Sequence, residues 1–171
     1  MAGETASGPR DVHELVIPPG VAGQMERLRA AGFLLLVVSN QPDVARGTLQ
    51  AEAVERINRR LTEALGIDGV YWCPHDNADR CSCRKPRPGL VLDAAREWEI
   101  DLARSYLIGD RWIDLATARA AGVDGILLES PHSWRPTSQG PPPPDLVPRH
   151  ASQTLSGCVD FILNGSRSGT G

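Results

Sequence analysis

The sequence contains no long hydrophobic run. Its longest apolar stretch, Phe33 to Val38, is far shorter than the ~20 residues that a membrane-spanning helix needs. The first residues, MAGETASGPRD, combine neither a positively charged start nor an apolar stretch, so they do not form a secretory signal. We therefore expect a cytoplasmic protein with no membrane partner.

Positive charge is not in excess, and aromatic residues are scarce. The net charge is −3, and aromatic residues make up 5% of the chain. Proteins that bind nucleic acid through their overall field carry an excess of Lys and Arg, and single-strand binders add interleaved aromatic side chains. A zinc module for nucleic acid is therefore the least favoured class, and we expect a small-molecule partner and no nucleic acid.

Cysteine is rare as well. The chain has four cysteines, and three of them lie between Cys73 and Cys83. In the reducing cytoplasm such a cluster is expected to consist of thiols or metal ligands and not to form a disulfide framework. The fourth, Cys158, has no partner nearby in the sequence and is expected to pack as a small apolar residue.

What the sequence does contain is a regular alternation of helix and strand patterns. The segment from Val21 to Ala31 has an apolar helical face and stops at Gly32, and FLLLVVSNQ then predicts a strand buried on both faces. Further strands are predicted in DGVYWCP, SYLIGD and GILLE, with helical patterns between them and a short final helix in LSGCVDFIL. This alternation predicts an α/β fold, a Rossmann-like three-layer open parallel sheet with helices on both faces.

One domain accounts for the 171 residues. We place it at residues 11–163, between a flexible start at 1–10 and a disordered tail at 164–171. Within it, the segment SPHSWRPTSQGPPPPD belongs to a Pro-rich loop at 130–148, because it can form neither a helix nor a central strand.

Polar residues follow the predicted strands where ligands bind in open parallel sheets. Ser39 and Asn40 end one strand, Gly109 and Asp110 end another, and Lys85 lies in the loop between them. Each has an ordinary explanation when it is taken alone, as a turn residue, a helix cap or a surface lysine. Together they supply what phosphoryl transfer to water requires, namely donors for phosphate oxygens and a carboxylate ligand for Mg²⁺.

The segment CPHDNADRCSC carries a set of soft metal ligands. Cys73, His75, Cys81 and Cys83 follow a C-x-H-x5-C-x-C spacing, and tetrahedral Zn²⁺ prefers thiolate and imidazole ligands of this kind. The alternative is a chance cluster of cysteines, but thiols crowded around a histidine in a polar loop have little packing rationale. The sequence therefore predicts a closed, structural zinc loop at residues 73–83.

The segments VVSNQPDVARG, CPHDNADRCSCRKPRPG and SYLIGDRWIDLATARAAG occur in this order along the chain. They resemble the second, third and fourth motifs of the haloacid dehalogenase (HAD) superfamily of phosphatases, and more narrowly its histidinol-phosphatase-like branch. The resemblance runs from about Asp11 to Leu128. It implies a HAD-like fold and a Mg²⁺-dependent phosphomonoesterase that works through an aspartyl-phosphate. It also strengthens the zinc assignment, because members of this branch carry a zinc loop at this place.

The resemblance also implies roles for single residues in catalysis. Ser39 would hydrogen-bond the transferring phosphoryl group, and Lys85 would neutralise phosphate charge and orient the nucleophile. Asp110 would ligate Mg²⁺. Asp114 would not contact the substrate, and would instead support these groups or cap the helix.

A second set of roles concerns the substrate. Asn40 and Gln41 would line the substrate site, and Arg46 would contribute to the same loop. Arg84 would recognise the substrate, and the zinc would stiffen the loop that presents Arg84 and Lys85. The resemblance assigns no contact with the phosphoryl group to Arg87, because only Lys85 matches the position of the family motif that makes this contact.

The family's first motif, a buried strand ending in Asp-x-Asp, is missing. The residues before Val21, MAGETASGPRDVHELVIPPG, contain neither a buried strand nor such an acid pair. Two explanations are open: this chain begins downstream of the motif, or it is a degenerate member that binds phosphate without hydrolysing it. In the family this strand lies in the middle of the sheet, so its loss is expected to leave the neighbouring edges unpaired.

The resemblance leaves the substrate partly open. It implies a sugar phosphate, with a heptose bisphosphate as the first choice, while histidinol phosphate and a polynucleotide 3′-phosphate are the alternatives. We expect the protein to be a monomer.

Overall fold

The computed structural model describes residues 8–167, so the predictions made for residues 1–7 and 168–171 lie outside the described part. The helices are α1 (Val21–Ala30), α2 (Pro42–Ala45), α3 (Ala51–Leu65), α4 (Gly89–Glu97), α5 (Trp112–Ala121) and α6 (Leu155–Arg167). The strands are β1 (Leu36–Asn40), β2 (Gly69–Cys73), β3 (Tyr106–Gly109), β4 (Asp124–Leu128) and β5 (His150–Ser152). Helix α6 continues through residues 164–167, which the sequence had assigned to a disordered tail.

The helix boundaries follow the local signals in the sequence. Helices α3 and α5 end at Gly66 and Gly122, which adopt the left-handed conformation with φ of 61° and 75°. Only glycine adopts this conformation at little cost, so the glycines stop both helices. Pro88 stands at the N-cap of α4, where its missing N–H removes no helical hydrogen bond.

The parallel strands form two separate sheets. Strand β1 pairs with β2 in a register that runs from Leu36 opposite Gly69 to Asn40 opposite Cys73. The second sheet has the order β3-β4-β5, again parallel. Within residues 8–167, β1 is paired along one edge only and so is β3. This split is the arrangement expected for an open sheet without its central strand.

The second sheet is covered by helices on both faces. Successive residues of a strand point to opposite faces, and Ile126 and Leu127 of β4 are both completely buried. Ile126 belongs to a cluster with Val159 and Ile162 of α6, while Leu127 packs with Leu115 of α5. The predicted three-layer architecture is therefore present around β4. Each buried side chain of this size contributes about 1.5–3 kcal/mol through the hydrophobic effect.

Strand β1 differs from its prediction. All five of its residues are only partly buried, although the apolar run predicted burial on both faces. The physical reason is the gap between the two sheets, because a strand with a neighbour on one edge only is shielded incompletely. Cys158 packs in the apolar core as expected and is completely buried. No helix within residues 8–167 is long and apolar enough to span a membrane.

Candidate active site and metal centre

Lys85 connects strand β1 to helix α5, which packs on the second sheet. Its Nζ donates to Oδ1 of Asp114 in α5 at 2.6 Å and to the backbone carbonyl of Val38 in β1 at 3.1 Å. The side chains of Lys85 and Asp114 are 13% and 6% exposed, so the ion pair is largely shielded from water. Charges in such surroundings interact more strongly than at the surface, and removing one partner leaves the other buried and unpaired.

Asp114 has two contacts that fix its carboxylate. Besides the bond from Lys85, its Oδ2 accepts a hydrogen bond from the backbone N–H of Arg111 at 3.2 Å, at the start of α5. A Cβ at Gly109 would collide with the Asp114 side chain. Glycine at the end of β3 therefore permits the close approach that places this carboxylate beside Lys85.

Asn40 holds the backbone of Lys85. Its Oδ1 accepts from the Lys85 N–H at 2.9 Å, and its Nδ2 donates to the Lys85 carbonyl at 3.1 Å. The side-chain oxygen and nitrogen are thus both engaged with one residue 45 positions away. The sequence placed Asn40 in the lining of a substrate site, whereas the structure shows it clamping the loop that carries the lysine.

Ser39, Gln41 and Asp110 lie at the carboxyl ends of the strands. Gln41 Nε2 donates to Ser39 Oγ at 3.0 Å, which leaves the hydroxyl hydrogen of Ser39 available for another acceptor. Asp110 is exposed, and within the described residues its carboxylate has no hydrogen bond or ion pair. A free carboxylate at the end of a strand is a suitable oxygen ligand for Mg²⁺.

The two arginines that were predicted to lie in the substrate site bond to different groups of the protein. Arg84 is 7% exposed, and its guanidinium donates to Asn77 Oδ1 at 2.8 Å and to the His75 carbonyl at 3.1 Å. Arg46 forms a bidentate pair with Asp76, at 2.6 and 3.1 Å. The hydrogen bond from Arg46 is the main reason why the pKa of Asp76 lies below its ordinary value. Arg46 therefore ties the loop after β1 to the loop after β2.

The four predicted zinc ligands are brought together. The Sγ atoms of Cys73, Cys81 and Cys83 and a ring nitrogen of His75 all lie within 4.8 Å of one another. Cys73 and Cys81 are 3.6 Å apart, Cys81 and Cys83 are 3.5 Å apart, and His75 Nδ1 is 3.3 Å from Cys83 Sγ. Bond lengths of about 2.3 Å to sulfur place the ligands of tetrahedral zinc roughly 3.5–3.8 Å apart. The 3.5 and 3.6 Å separations match this range, whereas Cys83 Sγ lies closer to Cys73 Sγ, at 2.9 Å, and to His75 Nδ1. The type and the clustering of the four donors therefore fit zinc, although two of the separations are shorter than a bound ion would set.

Burial disfavours the charged thiolate forms of Cys73 and Cys83. For Cys81, burial acts in the same direction, but hydrogen bonds from the Arg84 backbone and from the neighbouring thiols outweigh it and lower the pKa. Burial, followed by hydrogen bonds with Cys73 and Cys81, raises the pKa of Cys83 to about 12. Burial is also the largest effect that raises the pKa of Cys73. A cation among these sulfur atoms would offset both effects, because metal ligation stabilises the thiolate form.

The loop between β2 and α4 is shaped by local contacts. Asp76 and Asp79 form a reciprocal cap around the short 3₁₀ turn Asn77–Asp79, and Arg80 follows in the left-handed conformation with φ of 48°. Farther along, the Gly89 N–H donates to the Ser82 carbonyl at 3.2 Å. These contacts fold the loop back so that its cysteines meet Cys73, the last residue of β2.

Three contributors, two of them from the Pro-rich loop, were not predicted from the sequence. Ser133 Oγ donates to the Asp110 carbonyl at 2.7 Å, Gln139 Nε2 donates to the Lys85 carbonyl at 2.6 Å, and Asn77 connects Arg84 to Ser138. Ser133 and Gln139 belong to the Pro-rich loop. Its composition indicates only that regular structure is absent, and not where the loop docks.

Comparisons with known proteins agree with this architecture. A family model of HAD-hydrolase-like proteins matches residues 82–153. The crystal structure of D,D-heptose 1,7-bisphosphate phosphatase from Bordetella bronchiseptica, a complex with magnesium and phosphate, superposes with a TM-score of 0.77 at 26% identity. The superposition covers 94% of this chain and 91% of that one. The fold is that of a HAD-like hydrolase.

Proteins with similar sequences identify the kind of HAD-like hydrolase. This chain is 38% identical over 123 residues to D-glycero-β-D-manno-heptose-1,7-bisphosphate 7-phosphatase of Rhodopseudomonas palustris, covering 65% of this chain and 68% of the relative. It is 35% identical over 127 residues to the protein of the same name from Helicobacter pylori J99, covering 67% of this chain and 73% of the relative. The chain belongs to the HAD family of phosphatases.

Proposed function

We propose that this protein is a Mg²⁺-dependent phosphomonoesterase of sugar phosphates, with D-glycero-β-D-manno-heptose 1,7-bisphosphate as its substrate and C7 as the position that loses phosphate. The observation that carries the proposal is the clamped Lys85, which lies between the end of β1 and Asp114 of α5. The relatives that share this chain's sequence bear the name of that activity. The protein would act as a monomer in the cytoplasm.

Lys85 and Ser39 would bind the transferring phosphoryl group. The ammonium of Lys85 would neutralise charge on the phosphate oxygens, and the free hydroxyl hydrogen of Ser39 would donate to one of them. Groups held in place before the reaction need little reorganisation as charge develops, which is why such donors are effective. Asp114 would keep Lys85 in place by pairing with its ammonium.

Asp110 would hold the magnesium ion. Its exposed carboxylate has no competing partner in the described part of the chain, and Mg²⁺ commonly uses one or two carboxylates together with substrate phosphate oxygens. When bound, the ion would offset negative charge on the phosphoryl group.

The cluster of Cys73, His75, Cys81 and Cys83 would hold a structural zinc ion. Protein atoms would fill all four ligand positions and would leave none open for water, so the role of the ion would be structural. Cys83 directly precedes Arg84 and Lys85. The ion would therefore stiffen the segment that presents both basic residues to the substrate.

Phosphate binding without hydrolysis is the second candidate function. Within residues 8–167, Asp114 is already paired with Lys85 and Asp110 is the assigned magnesium ligand, so neither is free to act as the attacking carboxylate. The aspartyl-phosphate route would need a nucleophile from a strand between β1 and β3. Without that strand the crevice would retain its donors for phosphate but could not complete the reaction.

A substrate panel tests the proposal. Phosphate release is measured with the heptose bisphosphate, histidinol phosphate and a polynucleotide 3′-phosphate, and calorimetry measures the binding of each. We expect the heptose bisphosphate to bind most tightly and to be the preferred substrate whenever turnover occurs. A preference for the polynucleotide end would overturn the sugar-phosphate assignment, while binding without turnover would support the second candidate.

Replacing Lys85 with alanine should weaken the binding of inorganic phosphate roughly tenfold or more, because hydrogen bonds to charged groups contribute about 1.5–3 kcal/mol. Arg87→Ala is the matched control, since Arg87 is exposed and donates to the Cys81 carbonyl. It should change the affinity by less than about threefold, as expected for an exposed charge.

The measurement is calorimetry with inorganic phosphate and Mg²⁺, on variants whose thermal unfolding confirms that they are folded. That check matters because Lys85→Ala leaves Asp114 buried without its partner, at a cost of about 3–5 kcal/mol. Equal losses of phosphate affinity in the two variants would show that the loop contributes only diffuse positive charge.

A further inference from the structure

The segment Ser130–Gly140, which we call the strap, connects the two sides of the crevice. Its first anchor is Ser133, which is 1% exposed. Ser133 Oγ accepts from the Ser130 N–H at 2.9 Å and donates to the Asp110 carbonyl at 2.7 Å. The Ser133 carbonyl accepts from the N–H of Trp112 at 2.9 Å. The beginning of the strap is therefore fixed to the loop between β3 and α5.

The middle of the strap is held by the indole of Trp112. This side chain is 3% exposed, and its Nε1 donates to the Arg135 carbonyl at 3.0 Å. The strap then closes into a tight turn in which Thr137 and Gly140 exchange two backbone hydrogen bonds, at 2.9 and 3.0 Å. Gly140 has a φ of 109°, a conformation that favours glycine. The two backbone bonds fix the shape of the turn, and the indole contact fixes the segment that precedes it.

The tip of the turn contacts the loop that carries the basic residues. Gln139 Nε2 donates to the Lys85 carbonyl at 2.6 Å, and Asn77 Nδ2 donates to Ser138 Oγ at 2.9 Å. The Lys85 carbonyl also accepts from Asn40 Nδ2, so two side-chain amides from opposite sides hold the same peptide group. Asn77 in turn accepts from Arg84.

We propose that Gln139 is a positioning residue for Lys85, acting through the lysine backbone from the tip of the strap. The inference rests on the proposed function, in which Lys85 binds the phosphoryl group. Lysine has a long flexible stem, so its ammonium is placed accurately only when its backbone and its ion pair are both fixed. Small displacements of a charged donor reduce its contribution to binding, and the support that prevents them lies in neighbouring hydrogen bonds.

The test uses Gln139→Ala in the full chain, with inorganic phosphate and Mg²⁺ as the probe in calorimetry. We expect a loss of phosphate affinity of roughly 2- to 12-fold, which corresponds to one hydrogen bond, in a variant that thermal unfolding shows to be folded. Gln153→Ala is the matched control, because Gln153 is also exposed but lies outside the strap. Its phosphate affinity should equal that of the unmodified protein. Equal affinities in the two variants would overturn the proposal.

A double variant separates positioning from a general structural role. If Gln139 acts through Lys85, Gln139→Ala should cause no further loss of phosphate affinity when Lys85→Ala is already present. Additive losses would contradict the proposal. The role of Lys85 in binding phosphate and the role of Gln139 in positioning Lys85 can be tested separately. An unchanged affinity in Lys85→Ala would overturn the proposed role of the lysine itself, whereas an effect of Lys85→Ala without any effect of Gln139→Ala would overturn only the positioning role.

Discussion

The 171-residue chain should release no phosphate from the heptose bisphosphate above a metal-only background, and an added amino-terminal strand ending in Asp-x-Asp should restore Mg²⁺-dependent turnover. The gain should be at least roughly 10²–10⁴-fold, because a positioned acid or base alone contributes that much and the strand would also supply the nucleophile. Phosphate release, measured with and without Mg²⁺, provides the test.

The structure supports this expectation through the edge of β1 that has no strand partner within residues 8–167. Two hydrogen bonds identify the side of β1 that faces β2. The Leu35 carbonyl accepts from the Asp68 N–H, and the Gln41 N–H donates to the Cys73 carbonyl. In a parallel ladder every second residue faces the same neighbour, so Val38 faces the other edge. There its carbonyl accepts from Lys85 Nζ. A strand placed along this edge would therefore end close to the ammonium that the proposal assigns to phosphate.

A matched control has the same added strand with Asn-x-Asn at its end. It should fill the gap between the sheets and stabilise the protein without restoring turnover. The contrary outcome is Mg²⁺-dependent hydrolysis by the unextended chain that Asp110→Asn abolishes. That result would mean that a carboxylate within the present sequence serves as the nucleophile.

The purified protein should contain close to one equivalent of zinc, and Cys81→Ser should lose it. Structural zinc contributes about 10–16 kcal/mol in small zinc peptides, so even a partial loss of several kcal/mol should lower the unfolding temperature by roughly 10 °C. The measurements are metal analysis of protein prepared without chelators and thermal unfolding. Uptake of zinc by metal-free protein near neutral pH should release protons, because the pKa of Cys83 without metal is about 12.

Cys158→Ser is the control for the loss of a cysteine. Cys158 is completely buried in the core and lies outside the ligand cluster, so a serine there should lower stability while zinc remains bound. If protein prepared without chelators contains no zinc, the metal assignment is wrong.

The sequence predicts features that depend on neighbouring residues. The helical periodicity of α5 and its stop at Gly122 lie within a few positions of one another, and so do the zinc ligands from Cys73 to Cys83. Local spacing is sufficient for such features, because the chain between the residues is too short to arrange them in many other ways. A different rule predicts the place of the site, because ligands of open parallel sheets bind at the carboxyl ends of the strands, here β1 and β3.

Contacts between distant segments could not be read from the sequence. Gln139 and Lys85 are 54 positions apart, and Arg46 and Asp76 are 30 positions apart. An amide such as that of Asn40 bonds equally well to a substrate or to a backbone, so only the folded structure shows which partner it has. The partial exposure of β1 likewise depends on what lies beside the strand, which the apolar character of its residues does not reveal.

The most direct test of the proposed activity is ³¹P NMR of D-glycero-β-D-manno-heptose 1,7-bisphosphate, incubated with Mg²⁺ and the protein carrying the added Asp-x-Asp strand. The account predicts that the signal of the C7 phosphate disappears, inorganic phosphate appears in equal amount, and the C1 phosphate remains. Loss of the C1 phosphate, or an unchanged spectrum from a folded protein that releases phosphate from a polynucleotide 3′ end, would contradict it.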